Sequence, residues 1–264
     1  MPRSIRPPVR TAPGRSVTSR ALTVLDAFDG GHRVLTLSEI ARRSALPVAT
    51  AHRFLAELCT ARLLSKRPDG SYEIGARMWG LGLLFPPAML REVALPHLQD
   101  LVLTTGHTVH LAVLDGTRAL VIDRLAGSRS LPTRHRPGEW LPLHCTAVGK
   151  VLLAHAPEDI AAASMNGLTR HTPYTVTDAT ALRRQLDDVR RNGIARSAQE
   201  HRIGVSSLAM PVRTHAGVVA AFALLAPMTA PRLGDAMAPM TVAAATIAAA
   251  ATRADVIAEL DDTP

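Results

Sequence analysis

Between residues 36 and 62 two stretches of helical apolar period are separated by a turn of about four residues, and this arrangement constrains the fold more than any other feature of the chain. Leu37, Ile40 and Ala41 form the inner face of the first stretch; Ala51, Phe54, Leu55 and Leu58 recur at i, i+3, i+4 and i+7 in the second. Thr36 and Glu39, three residues apart, have the spacing of a capping box that opens the first helix. The turn falls at residues 44–47, and the second helix is predicted over residues 48–62. Upstream, Ala21, Leu22, Val24, Leu25 and Phe28 fit another helix over residues 19–28, which Gly30 and Gly31 end, and Val34 with Leu35 forms a short strand. Downstream, the strand-like runs 63–67 and 71–74 flank Pro68, Asp69 and Gly70, a strong turn signal. Helix, helix, turn, helix and basic hairpin is the order of a winged helix-turn-helix, whose helix after the turn enters the major groove of double-stranded DNA.

The charge distribution agrees with a polyanion partner. Of the net +8, residues 1–85 carry thirteen basic against six acidic side chains, whereas the remainder carries seventeen against sixteen. On the helix after the turn, Thr50, His52 and Arg53 are the side chains able to reach base edges, Arg reading guanine through two hydrogen bonds. Arg62, Lys66 and Arg67 are expected to meet phosphates, and so is Arg20 with the arginines of the Pro-rich segment before it. Residues 1–16 lack apolar periodicity and read as a disordered basic tail.

At 264 residues a second, larger domain is expected. Strand candidates at 107–114, 119–125, 194–198, 207–213 and 218–225, with helices near 88–104, 148–164, 178–192 and 239–260, give an α+β layer. The longest apolar stretch, residues 240–251, falls short of a bilayer span and reads as a buried or dimer-facing helix. With no secretory signal and two cysteines placed in different domains, a cytoplasmic location without a disulfide is expected.

Two groups of residues invite a catalytic or a metal reading. Cys145 beside His144 has the composition of a thiol nucleophile with its base, but neighbours on an extended segment point to opposite sides and no orienting group can be placed. The histidines at 107, 110, 144, 155, 171, 201 and 215 form no compact ligand motif, and neither a metal site nor a cofactor is expected. GxSxG, HExxH, P-loop and dinucleotide-glycine patterns are missing from the sequence, which disfavours the alternative of an enzyme with a DNA-docking arm.

The chain resembles the IclR-type transcriptional regulators along nearly its whole length after the tail. The resemblance rests on Ser19 to Leu22, LTLSEIARRSALPVATAHRFLAEL and PDGSYEIGARMWGLG, then on TVHLAVLDG, LPLHCTAVGKVLLA, IARSAQEH and GVSSLAMPVRTHAGVVAAFAL in the same order. It implies a DNA-binding domain at 17–75, a linker helix at 76–87 and, over 88–264, a GAF-like effector-binding and oligomerisation domain. It also implies a homodimer or homotetramer, a repressor more readily than an activator, and a pocket for a small organic effector. Carried over by position, that pocket is lined by Leu141, Cys145, Thr146, Ala147 and Gly149 on one side. On the other stand Ser197, Glu200, Val205, Ser206, Ser207, Ala223 and Leu225. Departures from the family pattern are Val48 and Ala49 at the start of the reading helix, Ser207 for a frequent cysteine, and Ala223 and Leu225 where regulators of small keto acids carry serines. They imply a less polar pocket, suited to an effector with an apolar or ring portion and one acidic or hydroxyl group.

Overall fold

The computed structural model describes residues 16–130, 135–230 and 233–261, so the basic tail expected at the N-terminus lies outside the described residues but for Ser16. Contacts divide the chain into two compact units that meet between Ala88 and Met89.

The N-terminal unit runs α1 (Val17–Leu25), β1 (Val34–Leu35), α2 (Leu37–Ser44), α3 (Val48–Thr60), β2 (Leu64–Lys66), β3 (Tyr72–Ile74) and α4 (Ala76–Leu83). Each helix start has a local cause. Ser16 accepts the Ser19 amide at α1, and at α2 Thr36 and Glu39 exchange the reciprocal bonds of a capping box. α2 stops at Ala45, which takes the left-handed conformation at φ 53°, and the chain turns through Leu46 into α3. Val24, Phe28, Leu35, Ile40, Phe54, Leu55, Leu64 and Tyr72 close one core. The three short strands order as β1-β3-β2, with Leu35 opposite Tyr72. At Gly75, where the hairpin meets the end of α3, a Cβ would lie 2.3 Å from the Arg62 carbonyl oxygen, so no larger residue fits.

The C-terminal unit contains α5 (Pro87–Thr105), β4 (Thr108–Asp115), β5 (Arg118–Leu125), β6 (Trp140–Pro142), α6 (Ala147–Ala154), α7 (Glu158–Ser164), α8 (Ala179–Asn192), β7 (Ala195–Ala198), β8 (Val205–Thr214), β9 (Gly217–Pro227), a 3-10 turn (Leu233–Ala236) and α9 (Met237–Asp261). Its strands form one antiparallel sheet in the order β6-β5-β4-β9-β8-β7. The period of two sorts side chains into two layers. Ala221, Ala223 and Leu225 of β9 face α6 and α8, while Ala220, Phe222 and Leu224 face α5 and α9. The sheet face toward α6 carries Ala112, Ala119, Ala195, Ala209, Ala221 and Ala223, small side chains that leave room for a cavity there.

Three details differ from the sequence reading. The helix expected over 148–164 is two helices, because Pro157 has no amide to donate to a continuing helix and instead precedes α7 as its cap. The strand β6 has only three residues, too few for a periodic signal. The terminal apolar helix is longer than its 240–251 core: residues 233–254 are long and apolar enough by length and composition to cross a membrane. In this fold Met240, Ala243 and Ile247 form a buried stripe packed on the sheet, Ala251 is buried further along, and Val242 faces outward.

Candidate functional site

Two surfaces carry polar groups in arrangements beyond what packing needs. On the N-terminal unit, α3 buries Ala51, Phe54 and Leu55 and thereby turns His52 and Arg53 to solvent; Thr50 is half-buried. The Arg53 guanidinium carbon lies 5.4 Å from the Phe54 ring centroid, a cation–π contact that orients an otherwise mobile side chain. Arg20 lies on α1, within the helix expected over 19–28, and its guanidinium carbon lies 6.0 Å from the same ring. Arg62 is exposed at the turn that ends α3, and Lys66 on β2 has its Nζ 5.9 Å from the Tyr72 ring. Arg67 is ion-paired within the hairpin, with Nη1 3.0 Å from Glu73 Oε2, so part of its charge is already matched. No side chain caps the start of α3 at Pro47, and Val48 and Ala49 are exposed there. The amides of that first turn are left with no side-chain acceptor, the usual condition for an anion at a helix N-terminus.

The second surface is a cavity in the C-terminal unit between α6 and the sheet. Its apolar lining is Leu141, Ala147, Val148, Val205, Ala223 and Leu225; its polar lining is His110, His135, Thr146, Ser197, His201, Arg202 and Ser207. Strand register assembles one wall: His110 pairs across from Ala223, Leu225 from Ser207, and Ser207 from Ser197. Eight positions expected from the sequence therefore line one space: Leu141, Thr146, Ala147, Ser197, Val205, Ser207, Ala223 and Leu225.

The other four expected positions do not line it. Ser206 points to the opposite face of β8, as its alternation with Ser207 requires, and borders a separate open hollow with Arg196 and Met228. Gly149 is the third residue of α6, with its amide donating to Thr146 Oγ1 at 3.1 Å. A Cβ there would lie 2.5 Å from the Leu143 carbonyl oxygen, so this glycine admits the preceding turn and not a ligand. Glu200 is buried behind the wall, where its Oε1 accepts from Lys150 Nζ at 2.5 Å. Burial pushes the Glu200 carboxyl up and the Lys150 ammonium down, and each charge opposes the shift of the other. Cys145 contributes its backbone, accepting from Ser197 Oγ at 2.9 Å, while its side chain is fully buried outside the cavity.

The Cys145 thiol is pushed up to about 12, first by burial and then by the Glu200 carboxylate, so it stays protonated, the reverse of an activated nucleophile. The expectation that His144 and Cys145 diverge is corrected as well. Residues 143–146 form a turn rather than an extended strand, and the two side chains converge on one point with His171.

Sequence reasoning missed His110, His135, Val148, His201 and Arg202. The face shared by His110 and Ala112 on β4 was a usable signal for the first; His135 lies beyond β5 in a loop with no periodicity. Burial, with the neighbouring His135, pushes both His110 and His201 down to about 3, and His135 is also lowered, by burial and by the Arg202 charge. The His110 and His135 ring centroids are 5.8 Å apart, and those of His135 and His201 are 5.4 Å apart. The cavity thus carries neutral imidazoles and one fixed cation, Arg202. Nε2 of His110 is buried without a hydrogen-bond partner among the described residues, a polar atom available to a ligand.

Comparison with known proteins joins these two surfaces. Residues 17–68 match the IclR helix-turn-helix domain, and residues 87–254 match the family described as bacterial transcriptional regulator IclR C-terminal. The HTH-type transcriptional regulator XynR of Escherichia coli (strain K12) is 32% identical over 221 residues, covering 82% of this chain and 87% of that protein. The probable transcriptional regulator SauR of Cupriavidus necator is 34% identical over 218 residues, 79% and 84% of the two chains. Among solved structures, an IclR homolog from Microbacterium hydrocarbonoxydans complexed with 4-hydroxybenzoate superposes with a TM-score of 0.85 at 32% identity, covering 90% of this chain and all of that one. The Thermotoga maritima IclR superposes at 0.72 with 26% identity, covering 89% and 98%. A winged helix-turn-helix followed by an antiparallel sheet that encloses a cavity, matched by these profiles over both units, places the chain in the IclR family of DNA-binding transcriptional regulators.

Proposed function

We propose that this regulator represses transcription from a pseudo-palindromic operator, as a dimer or tetramer, and that a small organic acid with a ring, bound in the cavity, releases it. The observation that carries the effector class is the pairing of an apolar floor, Ala223 and Leu225, with a wall holding Arg202 and His110 Nε2, which is unpartnered among the described residues. Arg202 suits the carboxylate, the floor suits the ring, and His110 suits a hydroxyl. That a relative of the same fold holds 4-hydroxybenzoate supports this class. The protein works on DNA in the cytoplasm and performs no chemistry on its ligand, in keeping with the protonated Cys145 thiol.

On the DNA, Arg53, His52 and Thr50 read base edges, while Lys66, Arg62, Arg67 and Arg20 hold phosphates. Two copies of α3 read half-sites about one helical turn, ~34 Å, or a multiple of it apart. Fluorescence anisotropy of the full chain on its own upstream DNA and on a shuffled fragment, over a salt series, tests the regulator reading; equal affinity for both contradicts it. For the effector, calorimetry with 4-hydroxybenzoate and with pyruvate tests the class. Binding of the aromatic acid alone is expected, and Arg202→Ala should weaken it by about 1.5–3 kcal/mol, the range for a hydrogen bond to a charged group. Preference for pyruvate contradicts the class.

A further inference from the structure

Behind the cavity lies a group of side chains that neither DNA binding nor effector binding uses. His144 and Cys145 sit in the turn between β6 and α6, and His171 in the segment before α8; one ligand atom from each lies within 4.8 Å of the other two. A fourth donor adjoins them, His201 Nδ1, 3.8 Å from Cys145 Sγ, with its ring centroid 5.0 Å from that of His171. One thiol and three imidazoles are the donors that borderline-soft divalent ions prefer.

The spacing fits such an ion. Bonds of about 2.0–2.3 Å in a tetrahedron put donors roughly 3.3–3.8 Å apart. The Cys145–His201 separation already satisfies this, and the donors of His144, Cys145 and His171, within 4.8 Å of one another, close on an ion by drawing together, His171 being the exposed one of the three. The surroundings also fit. His144 Nε2 donates to the Thr169 carbonyl at 3.0 Å, which fixes the tautomer and leaves the Nδ1 lone pair for a ligand bond, the usual outer support of a metal-bound imidazole. The segment that carries His171 is tied to the one that carries His201, since the Thr175 hydroxyl donates to the Glu200 carbonyl at 2.6 Å and that of Thr172 to the Gln199 carbonyl at 2.7 Å. Two donors are buried and one is exposed, so an ion has a path in from solvent.

We propose that His144, Cys145 and His171, with His201 as fourth ligand, bind a divalent cation of the zinc class. Ligation forms a metal–sulfur bond and releases the Cys145 thiol proton to solvent, with no change of oxidation state. Because His201 also lines the cavity, a bound ion fixes the ring that an effector meets.

The test uses the full chain stripped with chelator and titrated with cobalt(II), then with zinc. One cobalt per chain is expected, with the visible bands of a tetrahedral ion and a near-ultraviolet thiolate-to-cobalt charge-transfer band. The charge-transfer band disappears in Cys145→Ser and persists in Cys59→Ser. His171→Ala, at an exposed position that leaves folding intact by circular dichroism, weakens zinc binding by more than the about 10- to 100-fold that loss of an outer-shell partner costs. The site is refuted by the lack of a charge-transfer band in the unaltered chain, by its survival in Cys145→Ser, or by zinc affinity unchanged in His171→Ala.

Discussion

The two units differ in how far apart in sequence their working residues lie. In the N-terminal unit the side chains proposed to contact DNA all belong to residues 20–67, and the solvent-facing side of α3 follows from which of its own residues are buried. In the C-terminal unit one cavity draws on β4, the loop after β5, the start of α6, the loop after β7 and four further strands, from His110 to Leu225. A surface specified locally survives or falls with one helix. A site specified by strand register depends on the whole sheet and can be retuned at single positions without loss of the fold.

That contrast can be broken most forcefully at Phe54, which is 1% exposed and carries both the core of the N-terminal unit and the ring beneath Arg53. Phe54→Ala should cost about 3–5 kcal/mol, enough to unfold a unit this small. Operator binding should vanish in the anisotropy assay while calorimetric effector binding persists; simultaneous loss of both would show that the units are not separately specified. A milder change on the same helix sharpens the local side. Arg53→Ala should reduce discrimination between native and shuffled DNA by about 1–3 kcal/mol and leave the thermal midpoint in place.

On the register-built side, acid is the probe. The His110 pKa is near 3 in the folded chain and near 6.5 unfolded, so between those values the unfolded chain binds the extra proton and stability falls as pH drops. Well below 6.5 this single group should contribute about 1.4 kcal/mol of loss per pH unit. His110→Leu should lessen the fall of the thermal midpoint between pH 6.5 and 4.5 by its own share, leaving that of His201, which is held as low, and an unaltered slope would contradict the buried, neutral state. The smallest effect belongs to Lys66→Ala, which should lower the salt slope of DNA binding by about 1 with selectivity unchanged.

The same contrast governs what the amino-acid sequence reveals. The capping box at Thr36 and Glu39, the stripe through Phe54, and the Pro68-Asp69-Gly70 turn are all signals within a few residues, and the corresponding elements appear as read, to within two or three residues at their ends. The strands of the sheet were legible by alternation, except β6 with its three residues. The cavity was legible only by resemblance. Alternation alone sets Ser206 apart from Ser207, but nothing near Glu200 in sequence announces Lys150, its partner fifty residues away. The convergence of His144, Cys145 and His171 is hidden for the same reason, since the turn at 143–146 has no periodic signal and twenty-five residues separate its two parts. His135 gave no signal, because loop positions carry no periodicity to interpret.

The central claim is that the cavity and the DNA surface are coupled in one chain. The direct measurement is the operator Kd with and without saturating 4-hydroxybenzoate, paired with the 4-hydroxybenzoate Kd with and without operator. The account predicts that each ligand weakens the other by the same factor, within the roughly 5- to 150-fold range of allosteric coupling. Saturation of the cavity with no change in operator Kd would contradict it.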